Sequence, residues 1–310
     1  MTAKIFIDGE HGTTGLQIRE RLAERDDLTL LSLAMEDRRD AGKRASLLQE
    51  ADIAILCLPD DAAREAVSLA EGKGTRFIDA STAHRTADNW VYGFPELTSG
   101  QSERIAAAER VANVGCYATG SIALLRPLTE AGLLPRDYPL TINAVSGYSG
   151  GGKQMIAQME DASREAAIAA NHFAYALTLS HKHLPEIMMH GGITRKPIFT
   201  PAVGRFAQGM LVNVPLHLDL LGDDVDMKRL HTVLSDHYAG EGGKVEVAPF
   251  GEADTLGRLD AEEMTGTDRM RLHVFGTKGA GQVNLVASLD NLGKGASGAA
   301  VQNLDLMLRG

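Results

Sequence analysis

The chain has 310 residues, 44% hydrophobic and 23% charged, the composition of a globular protein with room for about two domains. A net charge of -10 and a pI near 5.5 exclude nucleic acid as a default partner, because phosphate backbones are bound by clustered positive charge. No apolar run approaches the roughly 20 residues of a membrane span, and the start, Met-Thr-Ala-Lys, lacks a signal-peptide core. Two cysteines without CxxC spacing fit a reducing, cytoplasmic setting.

Lys4 to Asp8 reads as a short apolar strand, followed by Gly9-Glu-His-Gly12-Thr-Thr-Gly15 and a helix opening at Leu16. Further buried strands are expected at Leu28–Ala34, Ala51–Leu58, Thr75–Ala80 and Arg110–Val114, with a helix carrying Ala63, Ala66, Val67 and Ala70 before the fourth. Apolar strands alternating with helices predict a parallel sheet covered on both faces, a doubly wound α/β domain over residues 1–115. Beyond it the pattern changes. Pro139–Val145, Met210–His217, Lys244–Ala248, Met270–Phe275 and Gln282–Leu289 read as strands. Lys153–Ala170 reads as a helix, only Val225–His237 interrupts the later strands as a helix, and Ser297–Arg309 closes the chain. Strands without regular crossovers predict an antiparallel or mixed sheet in an α+β second domain.

The first strand, glycine loop and helix form the setting in which a dinucleotide pyrophosphate is held. Gly9, Gly12 and Gly15, with Thr13 and Thr14, are the candidate cradle, although the spacing is not GxGxxG and a structural tight turn is the alternative. After the second strand no acid is placed to grip a ribose diol; Ser32, Arg38 and Arg39 suit a 2′-phosphate and point to NADP rather than NAD. A solvated charged turn, with Glu36 and Asp37, is the competing reading.

Cys116 sits in Asn113-Val-Gly-Cys-Tyr-Ala-Thr-Gly120, an apolar run broken by glycine just before the sulfur. A thiol at a helix entrance meets unpaired N–H groups and the positive end of the dipole, both of which favour thiolate. Burial as a small hydrophobe is the alternative, and Cys57, inside a strand, keeps it. Ser180-His181-Lys182-His183-Leu-Pro-Glu186 offers imidazoles for acid–base work, with Glu186 placed to orient one of them. His172 and His190 lie nearby in sequence, but the zinc spacing patterns are missing and no metal is expected. Ser146-Gly-Tyr-Ser149-Gly-Gly-Gly-Lys153 could bind a carboxylate or phosphate through hydroxyls, backbone N–H groups and the lysine. Asp79-Ala-Ser81-Thr-Ala-His-Arg85 ends the fourth strand, where Arg85 is a candidate phosphate clamp or an ordinary surface arginine.

Together these residues resemble the short form of the N-acetyl-γ-glutamyl-phosphate reductases of arginine biosynthesis. The matching pieces run the whole chain: the glycine loop, Asp79–Arg85, Tyr92-Gly-Phe-Pro-Glu-Leu97, Asn113–Tyr117, Asn143-Ala-Val-Ser-Gly147, His181–Glu186 and Asp290-Asn-Leu-Gly-Lys-Gly-Ala-Ser-Gly298. The usual Cys-Tyr-Pro-Thr of the family reads Cys-Tyr-Ala-Thr here. The resemblance implies a Rossmann NADP domain (1–115), a catalytic and oligomerisation domain (116–289), and a C-terminal helix (290–310) returning to the first. It implies Cys116 as nucleophile toward an acyl phosphate, a thioester awaiting hydride, and an imidazole as acid–base; Glu186 lies closer in sequence to His183, which puts that imidazole ahead of His181. It further implies Asn291 and Gly298 near the nicotinamide, Arg85 with Ser81 and Asn113 at the departing phosphate, and a homodimer or homotetramer. The same chemistry in an aspartate-semialdehyde dehydrogenase, a catalytically dead NADP-sensing protein and a cofactor-free cysteine hydrolase are the competing readings.

Overall fold

In the first strand, alternate side chains go to opposite sides of one sheet: Ile5 and Ile7 join Ile18 and Leu22, while Phe6 joins Leu48, Ala63 and Phe77. The structure, a computed structural model, describes residues 2–38, 40–222, 224–240 and 243–310. It divides into two units, one comprising the chain up to Pro95, Ser99–Gly115 and Ala296–Gly310, the other Glu96–Thr98 and Cys116–Gly295.

The first unit runs β1 (Ala3–Asp8), α1 (Thr13–Leu22), β2 (Leu28–Leu31), α2 (Ala41–Glu50), β3 (Ile53–Leu56), α3 (Asp60–Leu69), β4 (Arg76–Asp79), β5 (Val91–Gly93), α4 (Gln101–Ala107) and β6 (Arg110–Asn113). Its six strands pair in the order β2-β1-β3-β4-β6-β5, all parallel. Central β3 is Ile-Ala-Ile-Leu and buried throughout, as a strand covered on both faces must be. β1 has β2 on one side and β3 on the other, so the chain reverses direction across the sheet beside the C-terminal end of β1. In open α/β sheets that switch point is the ligand crevice.

The second unit opens with α5 (Cys116–Glu130) and continues through β7 (Thr141–Gly147), α6 (Gly152–Glu160), β8 (His172–Ala174), α7 (Leu184–Gly191), β9 (Ile198–Gly204), β10 (Met210–His217), α8 (Met227–His237), β11 (Val245–Val247), β12 (Met270–Phe275) and β13 (Gln282–Leu289). Its mixed sheet of seven strands has the order β11-β12-β13-β10-β7-β9-β8, parallel only at β11–β12 and β7–β9. Helix α5 lies tight on this sheet: a side chain on Gly120 would meet Val212 of β10 at 2.8 Å and Leu289 of β13 at 3.3 Å. The final helix, α9 (Gly298–Met307), returns to the first unit, where Ala300, Leu304 and Met307 complete the core around Ile78 and Val111.

Pro127 inside α5 deprives the Ala123 carbonyl of its helical donor. The buried Tyr238 hydroxyl, just after α8, donates to that carbonyl at 2.9 Å. Tyr238→Phe therefore leaves a buried acceptor unsatisfied and is expected to destabilise the chain by about 1–3 kcal/mol in denaturant unfolding.

Several expectations are corrected. The helix expected over 153–170 stops at Glu160, because the Asp161 carboxylate accepts from Ser163 N–H (3.0 Å) and Oγ (2.5 Å) and turns the chain. A helix the sequence reading did not place, α7, precedes β9 and is stopped by Gly192 at φ +75°. Residues 290–295, expected with the returning helix, belong to the second unit: the Asp290 carboxylate accepts from Gly266 N–H and the Asn291 carbonyl oxygen Oδ1 from Gly209 N–H. Five strands are shorter than expected, β2, β3, β4, β6 and β11, with the second ending at Leu31 rather than Ala34, while β7 is shifted to Thr141–Gly147.

Candidate active site

In the first unit the loop after β1 is shaped by its glycines. Gly9 has φ +91°, and a side chain there would collide with the Cys57 carbonyl; one on Gly15 would collide with the Gly9 carbonyl. Gly12 caps α1, and Thr13 and Thr14 form its first turn with no acidic residue in it, so the helix start presents bare N–H groups. A cavity of about 320 Å³ opens here, lined by Asp8, Gly9, Glu10, His11, Arg38 and Cys57 among others. Burial pushes the Cys57 thiol up to about 12, with Asp79 and Asp8 adding to it, so this sulfur stays protonated.

Glu10 is the residue that sequence reasoning missed. It is buried, pairs with Arg19 at 3.0 Å, and accepts from Ser32 Oγ at 3.4 Å. An acid thus stands beside the end of β2 after all, contributed by the glycine loop rather than by the strand. Arg38 lines the same cavity and donates to the Met35 carbonyl at 3.1 Å, whereas Arg39 lies outside the described residues. The His11 Nε2 atom is buried without a hydrogen-bond partner. A polar atom of that kind, beside a backbone cradle that excludes side chains, fits the phosphates of a dinucleotide.

The segment after β4 forms a framework. The Asp79 carboxylate takes the Ser81 hydroxyl at 2.7 Å and His84 Nδ1 at 2.6 Å. Arg85, expected as a phosphate clamp or a surface residue, is buried, and its guanidinium donates to the carbonyls of Asn113, Val114 and Ala80. It fastens the end of β6 to the end of β4. The Asn113 amide donates to the Ala296 carbonyl and accepts from Asn303 Nδ2. Ser297 donates to Gln17 Oε1 at 2.9 Å, which ties the start of α9, and with it Gly298, to α1.

In the second unit Cys116 is the first residue of α5. The next residue, Tyr117, donates to the Ala202 carbonyl of β9 at 2.9 Å, and its ring meets His181 at 5.8 Å and His183 at 6.0 Å between centroids. Tyr175 is held at about 12, mainly by burial, with the charge of Cys116 contributing. The cysteine, two tyrosines and two histidines therefore share one neighbourhood. His181 Nδ1 accepts the His183 backbone N–H at 3.1 Å, so its proton sits on Nε2, which faces the Tyr175 hydroxyl at 3.2 Å. Burial, helped by Lys182, lowers His181 to about 4, and it is neutral at pH 7. His183 is the buried N-cap residue of α7, and its Nε2 lies 3.9 Å from the buried Glu186 carboxylate.

Ser146, near the end of β7, and Ser149, in the turn that follows it, are also buried. Asn291 donates to Ser149 Oγ at 3.0 Å, and its Nδ2 and Ser146 Oγ both lie 3.4 Å from where a Gly150 side chain would begin. The structure thus places Asn291 beside these serines, in the second unit. Among the described residues no group of three or more His, Cys, Asp or Glu is arranged to hold a metal ion. None of the described helices is long and apolar enough to cross a membrane.

A parallel nucleotide-type sheet, followed along the chain by a cysteine-led helix on a mixed sheet, defines the semialdehyde dehydrogenase class of oxidoreductases. Residues 4–107 match the family model described as semialdehyde dehydrogenase, NAD binding domain, and residues 116–291 the one described as semialdehyde dehydrogenase, dimerisation domain. N-acetyl-γ-glutamyl-phosphate reductases of Brucella anthropi and Brucella suis are 64% and 63% identical over 309 residues, 99% of this chain and of each relative. The chain belongs to this reductase family. Its fold matches aspartate semialdehyde dehydrogenase II of Vibrio cholerae with a TM-score of 0.75 at 17% identity, covering 100% of this chain and 99% of that one. The Candida albicans enzyme, solved with NADP, matches with a TM-score of 0.66 at 12% identity, covering 99% of each chain.

Proposed function

We propose that this enzyme reduces N-acetyl-γ-glutamyl phosphate to N-acetylglutamate 5-semialdehyde, using NADPH and releasing phosphate, as a step of arginine biosynthesis. The observation that carries the reading is Cys116 at the head of α5, grouped with Tyr117, Tyr175, His181 and His183. The relatives' shared name supplies the substrate.

Cys116 attacks the acyl carbonyl as thiolate; the carbon–oxygen bond to phosphate breaks and a thioester remains. When bound, the nicotinamide cofactor supplies a hydride. His183, oriented by Glu186, protonates the oxygen of the resulting thiohemiacetal and takes that proton back as the carbon–sulfur bond breaks, returning the thiolate and freeing the aldehyde. Backbone N–H groups at the start of α5 stabilise the oxyanion. We place the carboxylate or phosphate of the substrate at the Ser146–Lys153 turn. The loop of Gly9, Gly12, Thr13, Thr14 and Gly15 cradles the pyrophosphate, with His11 facing it. Arg38, Arg39 and Ser32 favour the 2′-phosphate of NADP, and the pairing of Glu10 with Arg19 offsets the acid that would otherwise oppose it. Assembly as a homodimer follows the dimerisation domain of the family, and the free thiol suits the cytoplasm.

The test is a two-substrate assay of phosphate-dependent NADP reduction. N-acetylglutamate 5-semialdehyde is expected to be oxidised and aspartate semialdehyde not. The reverse preference makes this an aspartate-semialdehyde dehydrogenase, and no turnover with either overturns the reading.

A further inference from the structure

Lys294 is completely buried, a costly place for an ammonium group, and its Nζ lies 2.6 Å from Glu96 Oε2. Glu96 is itself fastened: its other carboxylate oxygen accepts the Lys244 N–H at 3.0 Å, and its backbone carbonyl meets His237 Nε2 at 3.2 Å. All four residues belong to the second unit, which takes in Glu96–Thr98 from an otherwise separate stretch of chain.

Lys294 sits in a π-turn, Gly293–Ser297, in which the Gly295 N–H reaches back five residues to the Asp290 carbonyl at 3.0 Å. The turn is wedged on either side of the lysine. A side chain at Gly293 would strike the Thr267 carbonyl, and one at Gly295 would meet Cys116 Cβ at 2.9 Å. The bare Gly295 backbone is thus the wall against which the cysteine rests. Sliding the turn by one residue would present Lys294 or Ala296 to the sulfur instead.

We propose that the Lys294–Glu96 ion pair is a positioning device for the nucleophile, locking the turn so that Gly295 faces Cys116. The inference rests on the assignment of Cys116 as nucleophile. A methionine would fill the volume of Lys294 without charge, so an ion pair kept in the interior is explained by what it fixes, namely the register of the turn. Neither residue touches substrate in this account; both act through Gly295.

The experiment compares Lys294→Met, Glu96→Gln, Gly295→Ala and Lys294→Met/Gly295→Ala with the unmodified chain. Three quantities are read: the rate of iodoacetamide labelling at Cys116, followed by peptide mass; kcat; and the NADPH dissociation constant by fluorescence. Lys294→Met is expected to change labelling about tenfold and lower kcat on the order of a hundredfold, with NADPH binding unmoved. Gly295→Ala should do the same while leaving the ion pair intact, and the double variant should be no worse than the worse single one. Should Lys294→Met not fold, Glu96→Gln, which keeps a hydrogen-bonding partner for the lysine, carries the same reading. Unchanged labelling in a folded Lys294→Met or Glu96→Gln protein, or additive losses in the double variant, overturns the proposal. An active Cys116→Ser protein sinks the nucleophile assignment separately, since labelling at Cys116 is measured without turnover.

Discussion

Cys116→Ser and Cys116→Ala are each expected to lose phosphate-dependent NADP reduction by a factor on the order of 10⁴ or more, with NADPH still bound. Serine is no rescue. Its hydroxyl is not ionised near neutral pH, and an oxygen ester accepts hydride less readily than a thioester. The second cysteine offers no substitute, because Cys57 is held up at about 12 and stays protonated across the working range. Iodoacetamide at pH 8 should accordingly label one sulfur per chain, and protection by the acyl substrate should place that sulfur at Cys116. Near-normal turnover in either variant would show that the cysteine at the head of α5 is structural.

The elements that the sequence announced are those whose local pattern and tertiary surroundings agree. Strands β10, β12 and β13 begin and end where alternation and turn residues put them, because each buries one face on the helices of its unit. β9 escaped notice because Pro201 interrupts it. The strand tolerates the missing N–H because its pairing with β8 starts only at Ala202. The alanines after Glu160 have high helix propensity, but an aspartate turn overrides it. Chemistry-bearing residues followed the same division. Cys116, His181, His183 and Glu186 were legible because helix-start grammar and a dense titratable segment are local signals. Arg85 was not, since three backbone carbonyls converging on one guanidinium are made by two strand ends far apart in sequence. Glu10 was in plain view inside the glycine loop, and only the approach of Ser32 and Arg19 gives it a role. Lys294 and Glu96 likewise lie 198 positions apart, and nothing in either neighbourhood points to the other.

His183→Asn is expected to cost 10²- to 10⁴-fold in the chemical step, the range for a lost general acid–base, and His181→Asn much less. The two imidazoles are neighbours, with ring centroids 4.7 Å apart, yet differ in what surrounds them. Both nitrogens of His181 are engaged, one by a backbone N–H and the other by Tyr175, and its lowered value near 4 leaves it neutral at working pH. Such a group orders its neighbours and, as a neutral imidazole, carries no acidic proton to give. His183 has instead the buried Glu186 carboxylate 3.9 Å from Nε2, placed to orient the ring. The lowered value of His181 has its own signature in stability. Between about pH 6.5 and 4 the unfolded chain binds a proton at this position and the folded chain does not, so stability falls as the pH drops through that window. His181→Asn should flatten that part of the profile of melting temperature against pH while keeping most of the chemical step. Single-turnover measurement of phosphate release and hydride transfer in both variants completes the comparison. A chemical step lost in His181→Asn and kept in His183→Asn would exchange the two roles.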